Sequence, residues 1–252
     1  MNPIAQRFSE ASRVYDAHAS VQQQVARVFS AWIAKGWQSE VKPKTFLDLG
    51  CGTGYFTRCL QTEFPDACAM ACDWAPDMLN VAKQHTCDIQ FFQGDAANFT
   101  APAPPELIAS SFCMQWLEDI PAAFAHHLQH CQRLTVALPC NGSFKEWEKA
   151  HQTLGCISGL HPLPDAGELC SKMVSWHAAG LIKRWRCDIQ QFTQHHTDGL
   201  AFARHLKAIG AGTAKPGHQP VNLRKLMTLL PKPLNTNYEV LFLELDSIST
   251  AN

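Results

Sequence analysis

The sequence predicts an α/β fold: a mostly parallel, seven-stranded sheet with helices on both faces. Three observations carry that expectation. Short apolar runs of strand length alternate with amphipathic helical patterns between residues 44 and 140. A glycine-rich turn follows the first of those strands directly. The 252 residues, 46 % hydrophobic and 17 % charged, match one ordinary globular domain of about 250 residues.

In chain order, the first element is a helix over 9–35. Val21, Val25, Val28, Phe29, Trp32 and Ile33 recur there at helical spacing, and Gly36 ends it. Strands follow at 45–49, 67–72, 89–92, 107–111 and 134–138. Helices over 55–64, 76–84 and 122–132 intervene, and Pro76 suits a first helical turn. The second half is less regular. It reads as helices at 143–156 and 166–179, a strand at 184–192, helices at 198–209 and 221–230, and a strong last strand at 237–245. One domain over 1–252 is expected, with an N-terminal helical segment (1–40), a ligand-binding half (44–140) and a C-terminal half (141–252). The C-terminal half returns to the sheet after a helical excursion, as a cap over the site would.

Composition narrows the function. A formal charge of −1 gives no basic surplus, which argues against nucleic acid as a partner. No stretch approaches the ~20 apolar residues needed to span a bilayer, and Met1 to Arg7 lacks a signal-peptide pattern. The eleven cysteines form no C-x-x-C pair, and buried thiols in a reducing cytoplasm are expected. His126, His127, His130 and Cys131 read as the exposed turn of a helix without a full tetrahedral metal set, and His195-His196 likewise, so no metal is expected.

The chemistry concentrates at Asp48-Leu49-Gly50-Cys51-Gly52-Thr53-Gly54, where a strand ends and a helix begins. Glycines let the chain turn sharply and let a ligand come close. The dinucleotide fingerprint is G-x-G-x-x-G, whereas this chain has G-x-G-x-G preceded by Asp48. An acid there is a poor neighbour for phosphate and suits an ammonium group. Asp73, ending the second strand, suits both hydroxyls of a ribose. Trp74 offers a flat face to a purine, and Asp95-Ala96 after the third strand suits an adenine amino group. A nucleoside with a cationic, phosphate-free tail is S-adenosylmethionine.

From Asp48 to Ser111 the chain resembles the cofactor half of class I S-adenosylmethionine-dependent methyltransferases, which have a Rossmann-like fold. Four segments narrow the resemblance: Arg7-Phe8-Ser9-Glu10-Ala11 leading to Tyr15-Asp16-Ala17-His18-Ala19-Ser20-Val21-Gln22, then Met114-Gln115-Trp116-Leu117-Glu118-Asp119-Ile120, Leu206-Lys207-Ala208-Ile209-Gly210-Ala211, and the final Tyr238-Glu239-Val240-Leu241-Phe242-Leu243. These are similar to the malonyl-[acyl-carrier protein] O-methyltransferases of biotin synthesis. Ser110-Ser111 departs from that family's usual Ser-Asn, and Cys131-Gln132-Arg133 replaces its Pro-Gly-Gly turn.

The resemblance implies methyl transfer to the free carboxylate of a malonyl thioester on an acyl carrier protein. A carboxyl with a pKa of about 4 is already ionised at neutral pH, so no general base is required. Tyr15, Gln115 and Trp116 are expected near the reacting groups. Arg204 and Lys207, three apart on one helix, would hold the carboxylate. The cofactor would lie against Asp48, Gly50, Cys51, Gly52, Gly54, Asp73, Trp74, Asp95, Ala96 and Ser111. Lys183, Arg184, Arg186, Arg224 and Lys225 are candidates for docking an acidic carrier. The alternatives are methylation of a free small acid, a non-catalytic cofactor-binding protein and, remotely, a dinucleotide oxidoreductase.

Overall fold

The computed structural model describes residues 3–37, 40–86, 88–211 and 221–248. The N-terminal region is three pieces where one helix over 9–35 was expected: α1 (Pro3–Ala11), α2 (Tyr15–His18) and α3 (Ser20–Gly36). The breaks fall at the turn over Ser12–Val14 and at Ala19, whose amide closes on the Tyr15 carbonyl. Gln23 Nε2 donates to the Asp16 carbonyl at 2.8 Å and fixes the short α2 turn. The break matters because it turns Tyr15 and Asp16 toward the sheet.

The alternating order follows as predicted, except that the helix expected over 122–132 starts and ends earlier: β1 (Thr45–Leu49), α4 (Tyr55–Glu63), β2 (Cys68–Asp73), α5 (Pro76–His85), β3 (Ile89–Gln93), β4 (Leu107–Ser111), a 3-10 turn over Met114–Trp116, α6 (Ile120–His127) and β5 (Arg133–Pro139). The second half supplies α7 (Lys145–Thr153), α8 (Ala166–Ala178), β6 (Ile182–His196), α9 (Gly199–Ala208), α10 (Leu223–Leu229) and β7 (Leu234–Ser247). Asp119, Asp165, Asp198 and Asn222 each accept a backbone N–H at the start of a helix, which fixes where α6, α8, α9 and α10 begin. β6 extends well beyond the expected 184–192 because it pairs with β7 along its whole length, and its side chains, few of them buried on this edge strand, give little apolar signal.

All seven strands join one sheet in the order β3-β2-β1-β4-β5-β7-β6. The first five are mutually parallel, and β7 runs antiparallel to both β5 and β6. Alternation along the strands feeds two cores. Phe46 packs with Phe29, Ile33 and Leu60 on one face, and Leu47 and Leu49 pack with Phe124 and Met173 on the other. The strand order reverses at β1 and β4, the position where open α/β sheets bind ligands.

The far edge of the sheet is locked by charge. Arg133, only 3 % exposed, donates to Asp246 at 2.6 Å and Glu40 at 2.8 Å, with its guanidinium over the Trp37 ring. Arg184 bridges the same two acids, and Arg186 is paired with Glu244 and stacked on Trp32. Two of the cations expected to dock a carrier are therefore structural: Arg186 pins α3 through Trp32, and Arg184 pins the segment after it through Glu40. Lys183, Arg224 and Lys225 are exposed, the last two on α10. No helix among the described residues is long and apolar enough to cross a membrane.

Candidate active site

Two adjoining cavities open at the carboxyl ends of β1, β2 and β4, and they share Phe8, Tyr15, Gln22, Phe112 and Trp116. The first is shaped by the turn after β1. The amides of Gly50 and Cys51 both close on the Cys72 carbonyl, at 2.7 and 3.0 Å. Gly50 has φ +72°, and a Cβ there would fall 2.2 Å from Cys113 Sγ, so no larger residue fits. Gly52 also has positive φ, but a Cβ there would meet nothing within 4 Å. The space beside Gly52 is room for a ligand.

Asp73 ties this turn to the next strand. Its Oδ2 accepts from the Gly52 amide and its Oδ1 from the Ala75 amide, both at 2.8 Å. Each oxygen keeps a further lone pair for a ligand hydroxyl. Burial pushes the Asp73 pKa up while the bonds from Ala75, Gly52 and Trp74 oppose it. Asp95 Oδ1 accepts from the Ala97 amide at 2.9 Å, which presents the carboxylate at the cavity wall. Trp74, 38 % exposed, and Ala96, Cys51 and Ser111 complete the expected set on this wall.

Two expected cofactor residues lie elsewhere. Asp48 is fully buried behind the turn, and its Oδ2 accepts from Thr57 Oγ1 of α4 at 2.6 Å. Its Oδ1 has no hydrogen-bond partner among the described residues, and burial pushes its pKa up to about 7 against the Thr57 bond. Strand alternation aims the side chain at α4, away from the cavity. Gly54 is the left-handed residue that opens α4 and does not line the cavity. The carboxylate that does enter is Asp16, a residue not singled out for the site in the sequence. Its Oδ1 accepts from Thr53 Oγ1 at 2.6 Å, across the break between α1 and α3.

The first cavity thus brings together Asp16, Asp73 and Asp95, with no Lys, Arg or His among its described lining residues. Such a wall repels a pyrophosphate and suits a cation. With the flat face of Trp74 and the space beside Gly52, it fits S-adenosylmethionine.

The second cavity is aromatic and apolar, with Phe112, Phe144, Leu160, Leu206 and Tyr238 on its walls. Tyr15 and Trp116 face both cavities. No hydrogen bond from the Tyr15 hydroxyl to a described residue is present, and burial pushes its pKa up, with Asp16 and Asp73 adding to the effect. Gln115 Nε2 donates to the Phe112 carbonyl at 2.8 Å, and Gln115 Oε1 is buried without a partner. Phe112 itself has φ +55°, a conformation rare outside glycine.

Arg204 and Lys207 are not brought to either cavity. The inner stripe of α9 is Phe202, His205, Leu206 and the following Ile209, which leaves 204 and 207 exposed on the opposite side. His127, expected on an exposed turn, is fully buried. Its Nε2 donates to the Ala96 carbonyl at 2.7 Å, behind the cofactor-side wall, and burial pushes its pKa down to about 4. Of the cysteines, Cys51, Cys72, Cys131 and Cys140 are buried as expected, whereas Cys68 and Cys187 are exposed.

This sheet order and this acidic nucleoside pocket are those of a class I S-adenosylmethionine-dependent methyltransferase. Solved structures agree on the fold. The YcgJ protein of Bacillus subtilis superposes with a TM-score of 0.58 at 12 % identity, covering 87 % of this chain and 98 % of its own. The plantazolicin methyltransferase BpumL in complex with SAH gives 0.57 at 14 % identity, over 97 % and 94 %. A family model described as a methyltransferase domain matches residues 46–133.

Sequence relatives are more specific. The malonyl-[acyl-carrier protein] O-methyltransferase of Serratia marcescens is 36 % identical over 223 residues, covering 86 % of this chain and 81 % of that protein. That of Neorickettsia risticii is 25 % identical over 95 % and 94 %. The biotin biosynthesis bifunctional protein BioCD of Bordetella avium is 34 % identical over 90 % of this chain, which spans about half (48 %) of that longer protein. The chain belongs to the malonyl-[acyl-carrier protein] O-methyltransferase family. It is an S-adenosylmethionine-dependent O-methyltransferase.

Proposed function

We propose that the enzyme methylates the free carboxylate of a malonyl thioester carried on an acyl carrier protein, an early step of biotin synthesis in the cytoplasm. The products are the malonyl-carrier methyl ester and S-adenosylhomocysteine. The observation that carries the reading is the composition of the second cavity, whose described lining residues include no Asp, Glu, Lys or Cys and a single histidine, His161, held through Nε2 by the Gln115 carbonyl. Burial holds the Tyr15 and Tyr238 phenols protonated at neutral pH, so neither serves as a base. A substrate hydroxyl or ammonium must lose a proton to react, whereas a carboxylate is already ionised.

The chain's residues divide the work. Asp73 accepts the ribose hydroxyls, Trp74 covers the adenine, and Asp95 with the Ala96 backbone meets its amino edge. Gly50, Cys51, Gly52 and Ser111 border the methionine portion, and Asp16 faces its ammonium. When bound, S-adenosylmethionine supplies a methyl group on a positively charged sulfur. Tyr15 and Trp116 stand where the cavities meet and Gln115 on the wall of the second, and there they align the acceptor and exclude water. Exposed Lys145 and Lys149 on α7, with Arg224 and Lys225 on the adjacent α10, give an acidic carrier a cationic face.

The test is the intact mass of malonyl-acyl carrier protein after incubation with enzyme and S-adenosylmethionine. A gain of one CH2, absent with the acetyl carrier, is expected. No gain, with the cofactor still bound, overturns the substrate assignment.

A further inference from the structure

A carboxylate drawn into an apolar cavity needs a hydrogen-bonding or cationic partner, because burial removes its water. Arg204 and Lys207 lie outside, so the partner must come from the walls. Among the described residues that line either cavity, His161, on the second, is the only side chain able to carry positive charge. It was not anticipated in the sequence, where it sits in an irregular stretch between α7 and α8.

The ring is held from two sides. Nε2 lies 3.0 Å from the Gln115 carbonyl. A carbonyl only accepts, so Nε2 carries the proton and Nδ1 is the nitrogen left for a ligand. The ring also packs on Trp116, centroid to centroid 4.6 Å at 34°. Pro162 and Pro164 follow and restrict the backbone, which sets the ring before any substrate arrives. Gln115 Oε1, buried and acceptor-only, repels a carboxylate from its own position and favours the His161 side.

We propose that His161 is the anion-recognition residue of the acyl pocket: its Nδ1 donates to the substrate carboxylate while Nε2 stays bonded to the Gln115 carbonyl. With Nε2 already donating, donation from Nδ1 as well means that the ring binds the carboxylate as the imidazolium. The contact touches the edge of the carboxylate and weakens as the carboxylate's charge passes into the new O–CH3 bond. It therefore acts on substrate affinity. This proposal rests on the malonyl-carrier reading.

The experiment compares wild type with His161→Phe and His161→Gln. Phenylalanine keeps an aromatic face on Trp116 and loses both nitrogens. With malonyl-acyl carrier protein, His161→Phe should raise KM about 10- to 100-fold with kcat unchanged or slightly raised. His161→Gln, a neutral donor, should recover part of the loss. Affinity for the product, the methyl-ester carrier, should be the same in wild type and His161→Phe, because the ester carries no charge. Bound S-adenosylmethionine, measured by calorimetry, reports that each variant is folded. An unchanged KM overturns the proposal. A fall in kcat at constant KM overturns it in favour of a proton-accepting role. Equal loss of malonyl and ester carriers overturns it in favour of packing. Wild type that transfers no methyl to the malonyl carrier removes the substrate reading, and this proposal with it.

Discussion

The two cavities that meet at Tyr15 are built on different plans. The first is made of turns at the ends of adjacent strands, and its polar contacts are short and local: Asp73 to Gly52 and Ala75, Asp95 to Ala97. The second is assembled from residues scattered along the chain, Phe8, Phe112, Leu160, Leu206 and Tyr238 among them, and its walls are mostly side-chain carbon. A nucleoside presents fixed hydroxyl and amino groups, and it is best met by backbone-anchored carboxylates in a fixed register. An acyl group asks for shape and dryness, which many sequences supply.

The sharpest break of this contrast is Asp73→Ala. Both carboxylate oxygens hold backbone amides of the turn, so the change removes ribose contacts and the support of Gly52 together. Cofactor Kd should rise by about 100-fold or more, since two hydrogen bonds to a charged group are lost. Asp73→Asn should lose less. Cofactor titration by calorimetry decides it, and an unchanged Kd would falsify the placement of the ribose.

Tyr15→Phe probes the seam. The hydroxyl is bonded to no described residue, while the ring packs beside Phe8 with centroids 6.3 Å apart. Phenylalanine keeps the ring, so turnover should fall about 10-fold with cofactor affinity within about two-fold. Parallel loss of both would make Tyr15 part of the cofactor wall alone.

The same contrast explains what the sequence made legible. Strand ends at Leu49, Asp73 and Ser111 were readable from apolar runs, and the glycine spacing and the acids at 73 and 95 follow those ends directly. Asp48 misled because the sequence places it beside the turn while strand alternation aims it at Thr57. The helix over 198–209 was readable but not the face it buries: the structure turns Phe202, Leu206 and Ile209 inward and leaves Arg204 and Lys207 outside. The second cavity was legible only through the segments that resemble the family, which hold Tyr15, Gln115, Trp116, Leu206 and Tyr238; its other walls left no local signal. His161 is defined by its distances to Gln115 and Trp116, forty-six and forty-five residues away in sequence. Asp16 was quoted in a motif, but only the break in the N-terminal helix shows that it enters the cavity.

The smallest effect lies beneath the first cavity, at Asp48. Its folded pKa of about 7 stands well above the ordinary 3.8 of the unfolded chain. The folded state then holds a proton that the unfolded state has released, so this group's contribution to stability falls as pH rises from about 4 to about 7 and is flat above. Asparagine has no such dependence. His127 and His205, whose pKa values burial lowers to about 4, destabilise the fold toward acid, but they are common to both proteins and cancel in the difference. The melting temperature of Asp48→Asn relative to wild type, without cofactor, should therefore climb by a few degrees across that interval and level off. The lost bond from Thr57 to a charged acceptor offsets the difference mainly at the upper end, where wild-type Asp48 is ionised. A difference that stays flat across the whole interval would mean that Asp48 is ionised throughout, and that its orphaned oxygen has a partner, such as a buried water.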